Sequence, residues 1–212
     1  MPSTKAIIAI IFAILNYKNI PLSFHIRFWI IIGKLFYLKN PTPTSVYQES
    51  VYKTFTTFLE MDFNMHKSNS TYFSDLDLSR SVLMGTIFKK FYRGYTDSEV
   101  QLAPWQFSYT PLGSVSLVFR HEILPYVRYK VVSRVFGWTE KWLFVVSKFV
   151  LNGRVHAYGL SKYVFKLKRK TVPPEMAIEH CGLLTEEAKT KNESIQKYLA
   201  DALELETIEQ FI

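Results

Sequence analysis

The spacing of apolar residues changes once along this chain, near Gly94. Before that glycine, apolar side chains recur at intervals typical of one face of a helix, at Tyr72, Leu76, Leu83 and Ile87. After it, apolar and polar side chains alternate, as they do in a strand that has one buried face. Because a single long helix can cover the apolar face of a sheet, this order predicts an α+β protein.

We predict that the helix runs from Tyr72 to Tyr92. Asn69 or Ser70 can cap its first turn by accepting a hydrogen bond from a backbone N–H. Gly94 can end the helix in the left-handed conformation.

About five antiparallel strands are expected after this helix. Asn152-Gly153 separates two β-branched and aromatic runs, which is a strong signal for a type I′ hairpin. The predicted strands are Pro104–Tyr109, Ser114–Glu122, Val127–Phe136, Trp142–Val150 and Val155–Lys168, with a shorter one before the helix near Val46–Phe58. A C-terminal helix is predicted over residues 184–212, where an apolar stripe runs opposite acidic residues.

The composition indicates a folded protein whose charge is unevenly distributed. Of its 212 residues, 48% are hydrophobic and 16% aromatic, which is enough for a substantial core. The chain has a single cysteine, Cys181, which excludes an internal disulfide. Because the chain has no CxxC pair, a structural zinc site is not expected. Residues 1–173 carry 23 basic and 9 acidic residues, a net charge of +14, whereas residues 174–212 carry 3 and 9, a net charge of −6. The basic part can attract a polyanionic ligand, a membrane surface or nucleic acid, and a solvated basic surface is the alternative.

The N-terminal segment is apolar and basic, and the first acidic residue in the chain is Glu49. Its first apolar run, Ala6–Leu15, would be about 15 Å long as a helix, roughly half the hydrocarbon thickness of a bilayer. The second run, Phe28–Leu38, is interrupted by Lys34. We therefore expect an interfacial membrane anchor or a targeting sequence, and packing of both helices on the domain is the alternative. The expected localisation is mitochondrial, with the endoplasmic reticulum or another organelle membrane as the alternative.

These features divide the chain into three parts. Residues 1–45 form the predicted targeting or anchoring segment, which ends in a linker at Pro41 and Pro43. Residues 46–172 form the helix-and-sheet domain, and residues 173–212 form an acidic helical tail.

Residues 60–73, Glu-Met-Asp-Phe-Asn-Met-His-Lys-Ser-Asn-Ser-Thr-Tyr-Phe, place several polar groups just before the predicted helix. Among them, Asp62, His66, Asn69 and Tyr72 follow one another at short intervals. This order resembles the entry to the central helix of hotdog-fold thioesterases of the 4-hydroxybenzoyl-CoA thioesterase type. The chain looks most similar to the eukaryotic branch that has an apolar N-terminal segment, the thioesterase superfamily member 6-like proteins and their fungal relatives.

The resemblance implies a hotdog fold over about residues 50–170, in which a curved antiparallel sheet wraps around one long helix. It implies that Asp62 is the catalytic carboxylate, acting as general base or nucleophile, and that the backbone N–H near Asn69 polarises the thioester carbonyl. His66, Asn69 and Tyr72 are implied as substrate-binding residues. It further implies a homodimer with the site at the subunit interface, an acyl-CoA or other acyl thioester as substrate, and neither a metal nor another cofactor.

The chain departs from the family pattern at two positions. Many relatives have glycine before the histidine, where this chain has Met65, so we expect a loop of different shape because methionine adopts positive φ only at a cost. Ser68 stands where many relatives have asparagine. From the residues alone, Asp62 can equally form an Asx turn, Asn69 a helix cap and Tyr72 a core contact.

We therefore predict a membrane-associated hydrolase of acyl-CoA-type thioesters. The alternative from another class is a catalytically silent hotdog module that binds acyl chains or a protein partner at an organelle membrane. A hydratase or dehydratase is a second enzymatic alternative, for which the chain lacks a clear histidine-plus-acid motif. Nucleic-acid binding is not expected, because basic and apolar residues alternate in Lys162–Lys170 as in a half-buried strand.

Overall fold

The computed structural model describes residues 3–38, 40–98, 100 and 108–203. The helices in this part of the chain are α1 (Thr4–Leu15), α2 (Ser23–Gly33), α3 (Asn69–Ile87), α4 (Lys89–Gly94), α5 (Pro174–His180) and α6 (Glu186–Leu203). The strands are β1 (Ser50–Phe55), β2 (Ser108–Tyr109), β3 (Leu112–Phe119), β4 (Arg128–Trp138), β5 (Leu143–Leu151), β6 (Arg154–Tyr163), β7 (Phe165–Leu167) and β8 (Lys170–Val172). Single turns of 3-10 helix occur at Tyr17–Asn19 and Phe58–Glu60, and a π-helical turn occurs at Lys34–Leu38.

Five strands form the main antiparallel sheet, in the order β1-β4-β5-β6-β3. The turn between β5 and β6 has Asn152 at φ 49° and Gly153 at φ 79°. Two left-handed residues are what a type I′ turn requires, so the predicted hairpin is confirmed. A second small sheet has the order β2-β7-β8.

Helix α3 packs against the main sheet, where it contacts β1, β4 and β5. Small side chains bring the two layers close together. The Oγ atom of Ser79 lies 2.8 Å from that of Ser133, which lies 2.7 Å from that of Ser147. One long helix packed against an antiparallel sheet is the predicted α+β hotdog arrangement, and this prediction is confirmed.

The predicted helix Tyr72–Tyr92 is two helices, because the backbone turns at Phe88 (φ −106°, ψ 20°). The turn lets the buried ring of Phe88 pack against Phe165, with ring centroids 4.9 Å apart. The left-handed stop predicted at Gly94 is wrong. The chain instead continues directly into an extended conformation at Tyr95, whose ring packs 4.9 Å from that of Phe91.

The predicted strand Val155–Lys168 was too long, since β6 ends at Tyr163. Val164 leaves the main sheet by donating its backbone N–H to the carbonyl of Pro111 at 3.1 Å. The chain then forms the tight β7–β8 hairpin, with Lys168 at φ 55°.

Other boundaries differ from the predictions more modestly. Strand β3 begins and ends two or three residues earlier than predicted. Of the predicted strand Pro104–Tyr109, only Ser108–Tyr109 lies within the described residues, as β2. Helix α6 confirms the predicted C-terminal helix as far as Leu203, and residues 204–212 lie outside the described part. Helix α5 was not predicted.

The N-terminal segment has an exposed part and a docked part. Helix α1 buries none of its residues. From Asn16 onward the chain contacts the domain, and the Asn16 side-chain oxygen accepts the backbone N–H of Leu59 at 3.1 Å. Leu35 packs so closely on Gly85 that a Cβ at that glycine would lie 2.8 Å from the leucine side chain. Within the residues given above, no helix combines the length and the apolar character needed to span a membrane.

Candidate active site

The loop that carries Asp62 is closed by a bridge between the backbones of Met61 and Lys67. Inside it, the N–H of Asp62 donates to the carbonyl of His66 at 3.0 Å, and the N–H of Met65 donates back to the carbonyl of Asp62 at 3.1 Å. The loop is also tied to its surroundings, since the N–H of Lys67 donates to the carbonyl of Ile123 at 2.8 Å. Residues 61–67 therefore form a compact, backbone-bonded turn.

Both carboxylate oxygens of Asp62 have neighbours in this loop. Oδ1 accepts the backbone N–H of Asn64 at 2.9 Å, which is an Asx turn. Oδ2 lies 3.4 Å from Nδ1 of His66, and the two side chains are 27% and 33% exposed. The structure thus brings these two predicted site residues together at a position that solvent reaches.

Met65 adopts the left-handed conformation, with φ 62°. The methionine takes up a conformation that glycine reaches more cheaply, and its half-exposed side chain is not part of the core. The expected difference in loop shape from the relatives stays a prediction.

Helix α3 begins at Asn69, immediately after the Asp62 loop. The N-cap position is Ser68, whose side chain makes no capping bond, so the prediction of a cap at Asn69 or Ser70 is wrong. The N–H of Ser68 donates to the carbonyl of Glu60 at 2.8 Å, which fixes the start of the helix to the beginning of the loop. Because the first amides of an α-helix have no carbonyl partner within the helix, this end can bind a developing negative charge.

The other two predicted substrate-binding residues lie in different environments. Asn69 is exposed in the first turn of α3. Tyr72 is only 2% exposed, and its ring packs against Phe119 and Phe149 with centroids 5.0 and 4.9 Å away. Burial raises the pKa of Tyr72 to about 12. Their roles in substrate binding stay predictions.

A cluster of buried charges lies beneath the Asp62 loop. We call Lys18, Arg27, Glu60, Lys67 and Asp75 the charge cluster. Glu60 and Asp75 are each bound by both lysines, at distances of 2.9 to 3.2 Å. Arg27 lies 3.3 Å from Asp75. All except Arg27 are nearly fully buried, so the cluster is closed to a substrate.

The charge cluster changes the acidity of its members. Burial alone would raise the pKa of Asp75, but the positive charges of Lys18 and Lys67 and the hydrogen bond from Tyr129 outweigh it and hold that pKa well below its usual range. Burial lowers the pKa of Lys18, against the opposing attraction of the two carboxylates. Asp75 is therefore a charged structural residue rather than a proton acceptor.

The charge cluster was not predicted from the sequence. One signal was present, because Asp75 lies on the apolar face of the helix between Tyr72 and Ser79, where a carboxylate needs a partner. Nothing in the sequence pattern connects it to Lys18 or Arg27, which are 57 and 48 residues away.

Asp62 does not line either of two large grooves found in the described part of the molecule. One, of about 670 Å³, has Lys53, Arg128 and Lys130 in its wall. The other, of about 610 Å³, lies between α2 and α3. No group of three or more His, Cys, Asp or Glu side chains that can hold a metal ion occurs among the residues that the structure describes.

Two fungal proteins are similar to this chain over most of its length. The chain is 34% identical over 203 residues to the probable thioesterase YBR096W of Saccharomyces cerevisiae, covering 88% of this chain and 84% of that protein. It is also 34% identical over 246 residues to the probable thioesterase atnL of Emericella nidulans, covering 95% of this chain and 79% of that protein. No family model matches the chain.

A solved structure, the DHNA-CoA thioesterase of Staphylococcus aureus, is 14% identical with a TM-score of 0.49, covering 71% of this chain and 94% of that one. At that distance the likeness says nothing about individual site residues. The fungal relatives and the helix-on-sheet architecture together define the class: the chain belongs to the hotdog-fold thioesterase superfamily.

Proposed function

We propose that this protein hydrolyses an acyl-CoA-type thioester and that Asp62 is the base or the nucleophile. The observation that carries the proposal is the position of this carboxylate on a closed loop whose beginning is hydrogen-bonded to the residue before α3. A carboxylate can activate water or attack the thioester carbon directly. The amides at the start of α3 can stabilise the oxyanion that forms. His66 can then orient the carboxylate, since Nδ1 faces Oδ2.

The distribution of charge supports a polyanionic substrate such as an acyl-CoA. The five strands of the main sheet contain no aspartate or glutamate. The groove lined by Lys53, Arg128 and Lys130 also includes Thr54, on the strand that leads to the Asp62 loop. Such a surface raises the local concentration of a phosphate-bearing ligand.

A homodimer is part of the proposal. Asp62 lies on a surface loop with its side chain 27% exposed, where a second copy of the chain can enclose a substrate. Strand β3 is an edge of the main sheet, with Val118 45% exposed and Phe119 39% exposed. An exposed edge with apolar side chains is a natural site for pairing with another strand.

Membrane association and a mitochondrial location are also proposed, with the endoplasmic reticulum or another organelle membrane as the alternative. Helix α1 supports the membrane association, because it exposes apolar side chains on all its faces, including Ile8 at 62% and Ile14 at 63%. A helix of 12 residues is about 18 Å long, which suits the membrane interface better than a full crossing.

A catalytically silent module that binds acyl chains or a protein partner is the second candidate. One observation favours it: each oxygen of Asp62 already has a neighbour, the N–H of Asn64 for Oδ1 and His66 for Oδ2. In this alternative, the carboxylate only shapes the loop.

The test is thiol release from short-, medium- and long-chain acyl-CoAs by the full chain. We expect Asp62→Asn, which keeps the shape of the side chain and removes its charge, to lower the rate by about 100-fold or more. Glu140→Gln is the matched control, since this exposed carboxylate lies at the turn between β4 and β5. Activity that survives in Asp62→Asn would remove Asp62 from the mechanism. No release by the folded wild type from any acyl-CoA would favour the silent module.

A further inference from the structure

The two ends of the Asp62 loop rest on the charge cluster. Glu60 comes just before the Met61–Lys67 bridge, and Lys67 is one of its two members. Both side chains turn inward and are 3% and 2% exposed. The Nζ atom of Lys67 donates to Glu60 at 2.9 Å, so the two ends of the loop are also joined beneath it.

Lys18 reaches this cluster from the N-terminal segment. Its Nζ atom donates to the carboxylate of Glu60 at 3.0 and 3.1 Å, to Asp75 at 3.0 Å and to the backbone carbonyl of Phe55 at 2.6 Å. One ammonium group thus joins the end of β1, the start of the loop and helix α3.

The neighbours of Lys18 hold the same stretch of the domain. Asn16 accepts the N–H of Leu59 at 3.1 Å, and Asn19 donates to the hydroxyl of Thr57 at 3.0 Å. The turn at 57–60 that precedes the Asp62 loop is therefore bound by polar side chains from three residues, Asn16, Lys18 and Asn19. Charge-assisted hydrogen bonds in a buried site are strong and directional. Leaving a buried acceptor without its donor costs free energy, so the acceptor tends to move when the donor is removed.

We propose that Lys18 is a positioning residue for Asp62. Through Glu60 and Lys67, it fixes the loop that holds the carboxylate against the start of α3. This inference rests on the proposed function for its effect on rate, although its effect on the loop stands independently. The stretch 16–19 is accordingly part of the active-site architecture rather than a removable leader.

The first test compares Lys18→Met with Lys5→Met in the full chain. Lys5 lies exposed on α1, so it controls for the loss of a lysine from the same segment. We expect Lys18→Met to lower kcat by about 100-fold, since a small displacement of a catalytic group can have an effect of that size, with little change in KM. Lys5→Met should match the wild type. An unchanged kcat in folded Lys18→Met would overturn the proposal.

Combining Lys18→Met with Asp62→Asn distinguishes positioning from a general structural effect. If Lys18 acts through Asp62, its substitution adds little once the carboxylate is gone. If the two losses multiply, the proposal is wrong, because Lys18 then affects the rate by another route.

Hydrogen–deuterium exchange tests the positioning even if the wild type hydrolyses no thioester, an outcome that would reject the proposed function alone. In Lys18→Met, the amides of residues 61–68 should exchange faster, whereas those of the β5–β6 hairpin should keep their protection. Unchanged exchange across 61–68 would overturn the proposal.

If Lys18→Met does not fold, Asn19→Ala tests the contact of residues 16–19 with the turn at 57–60. Asn19 is exposed and its side chain donates only to Thr57 in the contacts described, so little stability is at risk. Because only one hydrogen bond is lost, we expect kcat to fall several-fold and amide hydrogen exchange at residues 61–68 to become faster. No change in either quantity would overturn the proposal.

Discussion

The carboxylate of Asp62 is held by the backbone on one side and by an imidazole on the other. Such a residue can be catalytic or structural, and its local hydrogen bonds are compatible with both. These are also the two interpretations that were open from the sequence, a catalytic carboxylate before a helix and a structural Asx turn. The structure shows that the Asx turn forms and that the carboxylate remains 27% exposed, so the turn does not hide the group from a substrate.

Asp75 gives a prediction about stability at the scale of a single residue. Its pKa in the folded protein is held below the usual 3.8, so the unfolded chain takes up a proton first as the pH falls. The free energy of unfolding should therefore decrease as the pH drops through 3.8 toward the lower folded pKa. At neutral pH, Asp75→Asn should cost about 3–5 kcal/mol, because Lys18 and Lys67 then share the single buried carboxylate of Glu60.

Urea unfolding between about pH 7 and pH 3 measures both effects. Asp75→Asn should lose part of the pH dependence of the wild type, whereas the exposed Glu140→Gln should retain it. Equal pH slopes for Asp75→Asn and the wild type would show that Asp75 does not contribute this dependence.

At the scale of elements, the N-terminal segment consists of one exposed helix and a part that is docked on the domain. Helix α1 makes no buried contact, whereas Lys18, Arg27 and Leu35 all bind the domain. The interpretation as helices packed on the domain holds for α2 and not for α1, and membrane anchoring by α1 stays a prediction. Its division from the domain at residue 45 stays a prediction, and any boundary that isolates residues 16–38 would separate these contacts.

Helix α1 supplies a prediction about membrane binding. Replacing Ile7, Ile11 and Ile14 by glutamate should abolish co-sedimentation with phospholipid vesicles, since each buried isoleucine contributes roughly 1.5–3 kcal/mol. The control places glutamate at three similarly exposed apolar residues of the body, Val51, Leu124 and Met176. Equal binding by the wild type and the α1 variant would contradict the proposal.

The same pair of variants tests localisation in cells. A full chain with a C-terminal fluorescent fusion should mark mitochondria, or the endoplasmic reticulum if the alternative holds, and the α1 variant should lose that pattern. A diffuse signal from the wild-type fusion would contradict both locations.

At the scale of the whole molecule, the main sheet ends in two different edges. Strand β3 presents Val118 at 45% exposure and β1 presents Val51 at 49%, yet β1 is also contacted by α3 and the N-terminal segment. The β3 edge is the longer of the two, with eight residues against six, and we propose that it extends the sheet into a second copy.

Light scattering during size-exclusion chromatography should give twice the chain mass of 24.8 kDa. Val118→Lys should shift the protein toward the monomer, because a charge on a paired edge opposes strand association. Val51→Lys is the matched control and should remain dimeric. A wild-type monomer would reject the proposed dimer.

Local periodicity was sufficient to predict the order of helix and strands, because each strand of a half-buried sheet and each face of a helix repeats its pattern within a few residues. The Asn152-Gly153 turn was predictable for the same reason, since its conformation depends on two residues. The element boundaries at Phe88 and Val164 were not predictable from local pattern. Packing of the Phe88 ring on Phe165 decides the first, and the hydrogen bond from Val164 to Pro111 decides the second.

The fold class and the position of Asp62 before the central helix were both predictable from the order of residues. What holds that loop became visible in the folded structure alone, because Lys18, which binds both Glu60 and Asp75, lies 42 and 57 residues away from them in the chain. A buried charge pairs with an opposite charge that the fold brings near it. Such partners are not spaced at a helical or strand period, so the sequence pattern does not reveal them. The division between a free α1 and a docked segment beginning at Asn16 was decided in the same way, by contacts that exist only in the folded chain.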